Sequence, residues 1–184
     1  MPDRDFDPDD NFGNIGEDGL DLDADAMTGE ALVWQWLLLV NPGDEETALR
    51  QFTAYRELAE GDDAAEARVG DVIDVIDWTS GFHVDAGDAA GLIDSLQQLA
   101  ARWNLRIDWG VEDPDDDDFL DNADVPALLS TAHDRLREYG YMLWAFTTSD
   151  DTFAGWITLT QDDDAMRLLA SELHIEVRPA SEVF

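Results

Sequence analysis

The chain has 184 residues and an apolar share of 45%, with no Cys and no Lys, and its 44 acids against ten Arg give a formal charge of −34. Direct binding of nucleic acid is excluded on that balance, because phosphates are held by basic groups that release counterions; a polybasic membrane anchor is excluded for the same reason. The missing Cys removes disulfides, thiolate zinc sites and Cys nucleophiles. Met1-Pro2-Asp3-Arg4-Asp5 opens no apolar signal segment, so a soluble cytoplasmic protein is expected.

Residues 1–25 carry ten acids and one Arg with few apolar side chains to offset ordering, which predicts a disordered acidic tail. Residues 26–184 keep 34 acids and nine Arg, a charge of −25, and are expected to form a single α+β domain. Residues 31–40 are apolar on nearly every side and predict a buried helix, far short of the ~20 residues that span a bilayer. Asn41-Pro42-Gly43 ends it, and Asp44-Glu45-Glu46 places acids on the first turn of a second helix, where the dipole favours them. Leu49, Phe52, Tyr55 and Leu58/Ala59 form the predicted apolar stripe of that helix. The segment with Val69, Val72, Ile73 and Ile76 is β-branched like a strand, yet its i, i+3, i+4, i+7 spacing predicts a helix.

Phe82-His83-Val84-Asp85 reads as a short strand, and Leu92, Leu96, Leu99 and Trp103 as one helical stripe. Leu105-Arg106-Ile107-Asp108-Trp109 alternates apolar and polar, which predicts a half-buried strand. An acidic loop follows over 110–122. Val125, Leu128/Leu129, Ala132, Leu136 and Tyr139 then mark a helix, with Asp124 as N-cap and Gly140 as its stop. Residues 141–146 and 153–159 predict two strands. Thr160 with Asp163 reads as a capping box before a helix carrying Met166, Leu169 and Leu173, and residues 175–177 close as a strand. From Leu105 onward the order is β-α-β-β-α-β, the split arrangement of ferredoxin-like folds. The expected fold is α+β: a two-layer sandwich with a mixed sheet of four to five strands and packed helices, preceded by a helical N-terminal part.

The densest local pattern is a candidate metal loop. On a twelve-residue calcium loop starting at Asp113, carboxylates fall at positions 1, 3, 5, 9 and 12, namely Asp113, Asp115, Asp117, Asp121 and Asp124. Calcium or magnesium takes several hard oxygens at one centre, which alternate loop positions can supply. Against this stand Asp118 where the sharp turn needs Gly, and an Asp rather than a longer bidentate Glu at position 12. Loose cation condensation on a solvated acidic loop is the competing reading, and no other cofactor is expected. Asp21-Leu22-Asp23-Ala24-Asp25 begins a weaker version of the same pattern.

His83 and Asp85 share a strand face as i and i+2, compatible either with a carboxylate–imidazole pair or with a strand residue satisfied by some other hydrogen bond. His133 is expected to border the core of its helix, and His174 to sit at a helix-to-strand junction. No phosphate loop, nucleophile elbow or helical His-Glu zinc pair is present. Among seven Trp, Trp34, Trp36, Trp103 and Trp109 are expected in or beside the core, and Trp144 and Trp156 as a cross-strand pair.

Leu39-Val40-Asn41-Pro42-Gly43-Asp44-Glu45-Glu46, Ile76-Asp77-Trp78, residues 81–85, Asp124-Val125-Pro126, Gly140-Tyr141-Met142-Leu143-Trp144 and Ala154-Gly155-Trp156-Ile157 resemble a bacterial domain-of-unknown-function family, the one numbered 6630. The likeness covers roughly residues 30–178. It implies a bacterial intracellular protein and carries over no active-site residues.

Three readings of function follow. The first is a non-catalytic binding or regulatory protein whose acidic surface meets, and so neutralises, a basic protein partner, since opposite fields speed association. The second is a carboxylate-dependent metal enzyme using Asp85 or the 113–124 loop. In the third, the acidity serves solubility or salt adaptation. With no catalytic constellation in the sequence, the first is the expectation and an enzyme is not.

Overall fold

The computed structural model describes residues 29–59, 69–148 and 151–183; the acidic 1–25 segment, the tail expected there and the Asp21–Asp25 pattern lie outside them. In chain order the helices and strands are α1 (Gly29–Val40), α2 (Glu45–Ala59), α3 (Val69–Asp74), β1 (Gly81–Asp85), α4 (Ala89–Ala101), α5 (Asp117–Asn122), α6 (Val125–Glu138), β2 (Tyr141–Thr147), β3 (Thr152–Leu159), α7 (Asp163–Glu172) and β4 (Arg178–Pro179). The fold is α+β, with the helical N-terminal part in place and the ambiguous Val69 segment helical. No helix among the described residues is long and apolar enough to cross a membrane.

The four strands run in the order β1-β3-β2-β4, and every neighbouring pair is antiparallel. The sheet is therefore not mixed. The crossover from β1 to β2 and the one from β3 to β4 each step over one intervening strand, so parallel strands never become neighbours. Residues 105–109 form no strand, so the expected β-α-β-β-α-β order gives way to β1-α4-α5-α6-β2-β3-α7-β4, with three helices in the first connection. A ferredoxin-like sheet would seat the last strand beside the first; here β4 lies beside β2.

Alternation along β2 and β3 sends side chains into two separate cores. Leu143, Ala145, Phe153 and Ile157 face α4 and α6. Met142, Trp144 and Trp156 face the opposite way, toward α1, α2, α3 and α7. Helices thus cover both faces, giving three layers where two were expected. The all-round apolar character of α1 fits this position: Val33, Trp36, Leu37 and Val40 are buried, and Trp36 meets Trp156 edge to face at 4.9 Å. Full burial of such a side chain contributes roughly 1.5–3 kcal/mol. Trp144 and Trp156 are directly opposite across β2 and β3, as expected.

Residues 105–109 keep their predicted alternation, with Ile107 and Trp109 buried between α4 and α6, yet they join no strand. The Gln97 side chain accepts from the Ile107 amide and donates to its carbonyl, and Arg135 donates to the Asp108 carbonyl. Side chains thus satisfy the backbone that a neighbouring strand would have paired. The closing strand lies at Arg178–Pro179, three residues beyond its expected start, because the chain first turns through His174 at positive φ. In α2 the buried face is Thr47, Ala48, Gln51 and Tyr55, and the predicted stripe members Leu49 and Leu58 are exposed. The Thr160–Asp163 capping box is absent: Thr160 opens a short 3₁₀ turn, its amide bonds to the Gly140 carbonyl, and its hydroxyl caps nothing. Asp124 caps α6 and Gly140 stops it at positive φ, as expected.

Candidate functional site at the edge of the sheet

The α1 and α7 layer leaves one corner of the sheet face uncovered, where β1 meets β3. Cross-strand register aligns His83, Ala154 and Phe146 on that corner. The middle position is small, so the floor is low between an imidazole and a phenyl ring. The result is a pocket of about 580 Å³, bounded on one side by Ile73, Asp74 and Trp78 and on the other by Ser95 and Gln98 of α4.

A hydrogen-bonded turn holds the rim. The Asp77 carboxylate accepts from the Thr79 amide at 3.0 Å, and the Asp77 carbonyl accepts from the Ser80 and Gly81 amides. Arg50 of α2 bridges Asp77 and Thr79, each at 3.1 Å. Beneath this turn lies a buried polar network. Gln51 donates to Ser80 at 2.9 Å, Ser80 donates to Asn41, and Asn41 donates to Gln51 at 2.8 Å, closing a ring whose three residues are no more than 2% exposed. Arg102 donates to Asn41 at 3.1 Å and to Asp44 at 3.4 Å. The backbone hydrogen bond from Thr47 holds the Asp44 carboxyl below its usual value, with Arg102 adding to the effect. Rigidly seated in this way, the turn presents Trp78 to solvent with 75% of its surface exposed.

On the floor, His83 Nε2 lies 2.9 Å from the Thr152 hydroxyl, which in turn shares a hydrogen bond with the Thr148 hydroxyl. His83 is therefore satisfied by a hydrogen bond to Thr152, while Asp85 shares its strand face. His133 is buried with Nδ1 at 3.2 Å from Asp134, and His174 follows α7 as expected.

The candidate metal loop is laid out differently. Asp113 accepts from the Asp115 amide in a tight turn, Asp116 caps α5, Asp117 and Asp121 ride on α5, and Asp124 caps α6. Their oxygens point at local amides or solvent along the chain. Among the described residues no group of three or more His, Asp or Glu side chains is gathered as a metal could require.

A second polar cluster joins α6 to the start of α7. The Thr160 hydroxyl, Asp163 Oδ1 and His133 Nε2 are buried there without partners among the described residues. Burial pushes the Asp163 carboxyl above its ordinary value, and Arg137, Arg167 and His133 only partly oppose this, with Asp164 adding to it. A carboxyl whose pKa is higher in the native state contributes stability at low pH. That contribution is lost as pH rises from the ordinary carboxylate range through the folded value. Asp163→Asn is expected to flatten this part of the profile and to leave stability at pH 7 undiminished, as read by urea midpoints at steps between about pH 3 and pH 7. A variant curve parallel to the wild-type one would refute the assignment.

The pocket was not legible from periodicity. Two signals pointed to it: a Trp inside the polar turn Asp77-Trp78-Thr79-Ser80, and Gln51 on what proved to be the buried face of α2. Asn41, Asp77-Trp78, β1 and Gly155-Trp156, which lie far apart in sequence, meet around this corner. No curated protein and no solved structure matches the chain. Residues 32–180 match a family described as a domain of unknown function, DUF6630, and since that match spans most of the chain, the protein belongs to this family.

Proposed function

We propose that the protein is a non-catalytic binding module whose acidic surface receives a basic protein partner, with the pocket beside Trp78 as the seat of a cationic side chain. The observation that carries this reading is the composition of the rim, where an exposed indole and the Asp74 carboxylate border a floor of His83, Ala154 and Phe146. An aromatic face and carboxylates together suit a guanidinium or ammonium group, which gains cation–π attraction and an ion pair at once. The charge of −25 on residues 26–184 adds a long-range field that steers a basic partner inward. The same field repels nucleic acid, and the reading places the module in the cytoplasm, where its partner would be met.

The test is a titration with octa-arginine, followed by Trp fluorescence at low and at physiological salt. Binding should weaken steeply with salt. Trp78→Ala and Asp74→Asn should each weaken it by about tenfold, near 1.4 kcal/mol. Asp117→Asn on α5, with the same change in net charge, should have little effect. Equal losses from the α5 and pocket variants would mean diffuse charge attraction without a site, and no binding at low salt would remove the reading altogether.

A further inference from the structure

We infer that β1 is an acceptor strand: the partner's basic segment binds as an extended strand added to the outer edge of the sheet at His83. This rests on the proposed reading of the pocket and says how the partner is held. Among the described residues β1 is the last strand of the sheet on its side and pairs with β3 alone. The Ala86 amide bonds to the Asp151 carbonyl, and antiparallel pairs alternate between bonded and non-bonded. Phe82 and Val84 therefore direct their backbone groups toward β3, while Gly81, His83 and Asp85 direct theirs outward.

Two of those outward groups are already used. The Gly81 amide bonds to the Asp77 carbonyl at 2.9 Å, and the Asp85 carbonyl accepts from the Asp88 amide at 2.9 Å. The Gly81 carbonyl, both backbone groups of His83 and the Asp85 amide remain without a backbone partner among the described residues. Local turns thus blunt both ends of the edge and leave its middle open, where most proteins cover or charge such an edge. The pocket runs along this opening, between α3 and the Trp78 turn on one side and α4 on the other.

Charge selects the occupant. Residues 69–101, which form both walls and the strand between them, hold six Asp and no Arg or Lys. A second copy of the chain would bring the same acids against these and be repelled. A strand with basic side chains at alternate positions would instead set them on the His83 face, toward Asp85, Asp74 and the indole of Trp78, while its backbone completed the ladder.

The probe is an octapeptide of alternating arginine and valine, with the same peptide N-methylated at every residue as its partner. N-methylation keeps the charges and removes the ladder donors. The unmodified peptide should bind at least about tenfold more tightly than the methylated one, and it should slow hydrogen exchange of the His83 amide. His83→Pro, which removes the outward donor at a site where edge strands tolerate proline, should reduce the preference between the two peptides. Its melting curve reports whether the variant is folded, and the peptide comparison on wild-type protein stands without it. Equal affinity for both peptides, with losses still seen in Trp78→Ala, would overturn strand addition and leave the binding-module reading intact. Failure of both peptides to bind at low salt would overturn the two together. Dimers sedimenting without peptide, with the His83 amide protected, would assign the edge to a second copy and overturn the basic occupant.

Discussion

Gly155→Ala is expected to lower the free energy of unfolding by about 3 kcal/mol or more. Gly155 sits in the middle of β3 with Phe82 of β1 and Ala145 of β2 as its cross-strand partners. A Cβ built there would fall on the backbone carbonyl oxygen of Trp144, far inside contact, and 2.8 Å from the Phe82 ring. The ring can swing, but the carbonyl belongs to a central strand held from both sides, so the cost is a displacement of β2 against β3. Urea denaturation checks this, with Gly87→Ala as the control. A Cβ at Gly87 meets nothing within 4 Å, so the change should stay within about 0.5 kcal/mol. A loss below about 1 kcal/mol in Gly155→Ala would show that the strands do not approach this closely. Since Gly155 also lines the pocket, a folded remnant of this variant should have lost octa-arginine binding.

Asn41→Ala should cost about 3 kcal/mol, through groups left behind more than through the bond removed. Asn41 accepts from Ser80 and Arg102 and donates to Gln51 and to the Leu37 carbonyl. Truncation strands the Gln51 oxygen and the Ser80 hydroxyl in a buried site. It also takes one partner from Arg102, whose Nη1 already has none. Gln51→Leu in the wild type should be similarly costly, but in the Asn41→Ala background it should cost markedly less, because one network is broken only once. Additive losses in that double-mutant cycle would rule out the network. The turn carrying Trp78 hangs on Ser80, so both variants should also change Trp fluorescence and weaken the peptide titration, linking core stability to the site.

Local pattern was a sound guide wherever a residue's burial depends on its own helix or strand. The apolar run of α1, the Leu92, Leu96 and Leu99 stripe of α4, the cap at Asp124 and the stop at Gly140 read correctly, while Trp103 lies beyond the end of α4. It misled where the same pattern admits two causes. Alternation over residues 105–109 reports that every second side chain is buried, and it is silent on whether a strand or the side chains of Gln97 and Arg135 satisfy the backbone. In α2 an apolar-stripe rule looks for Leu, whereas the buried face is polar because it closes a ring with Asn41 and Ser80, both distant in the helical pattern. Of the five carboxylates spaced for calcium, Asp124 also caps α6, while Asp116, which lies between them in sequence and outside those positions, caps α5.

The class of the fold, the positions of most helices and strands, the family and the sign of the charge are all readable from the chain alone. Each of these follows from composition or from interactions within a few residues. The strand order, the covering of both sheet faces and the open corner where β1, Trp78 and Asp74 stand together arise only on folding. Those depend on which distant segments meet, and the small side chain at Ala154 becomes a pocket floor only once His83 and Phe146 are set on either side of it.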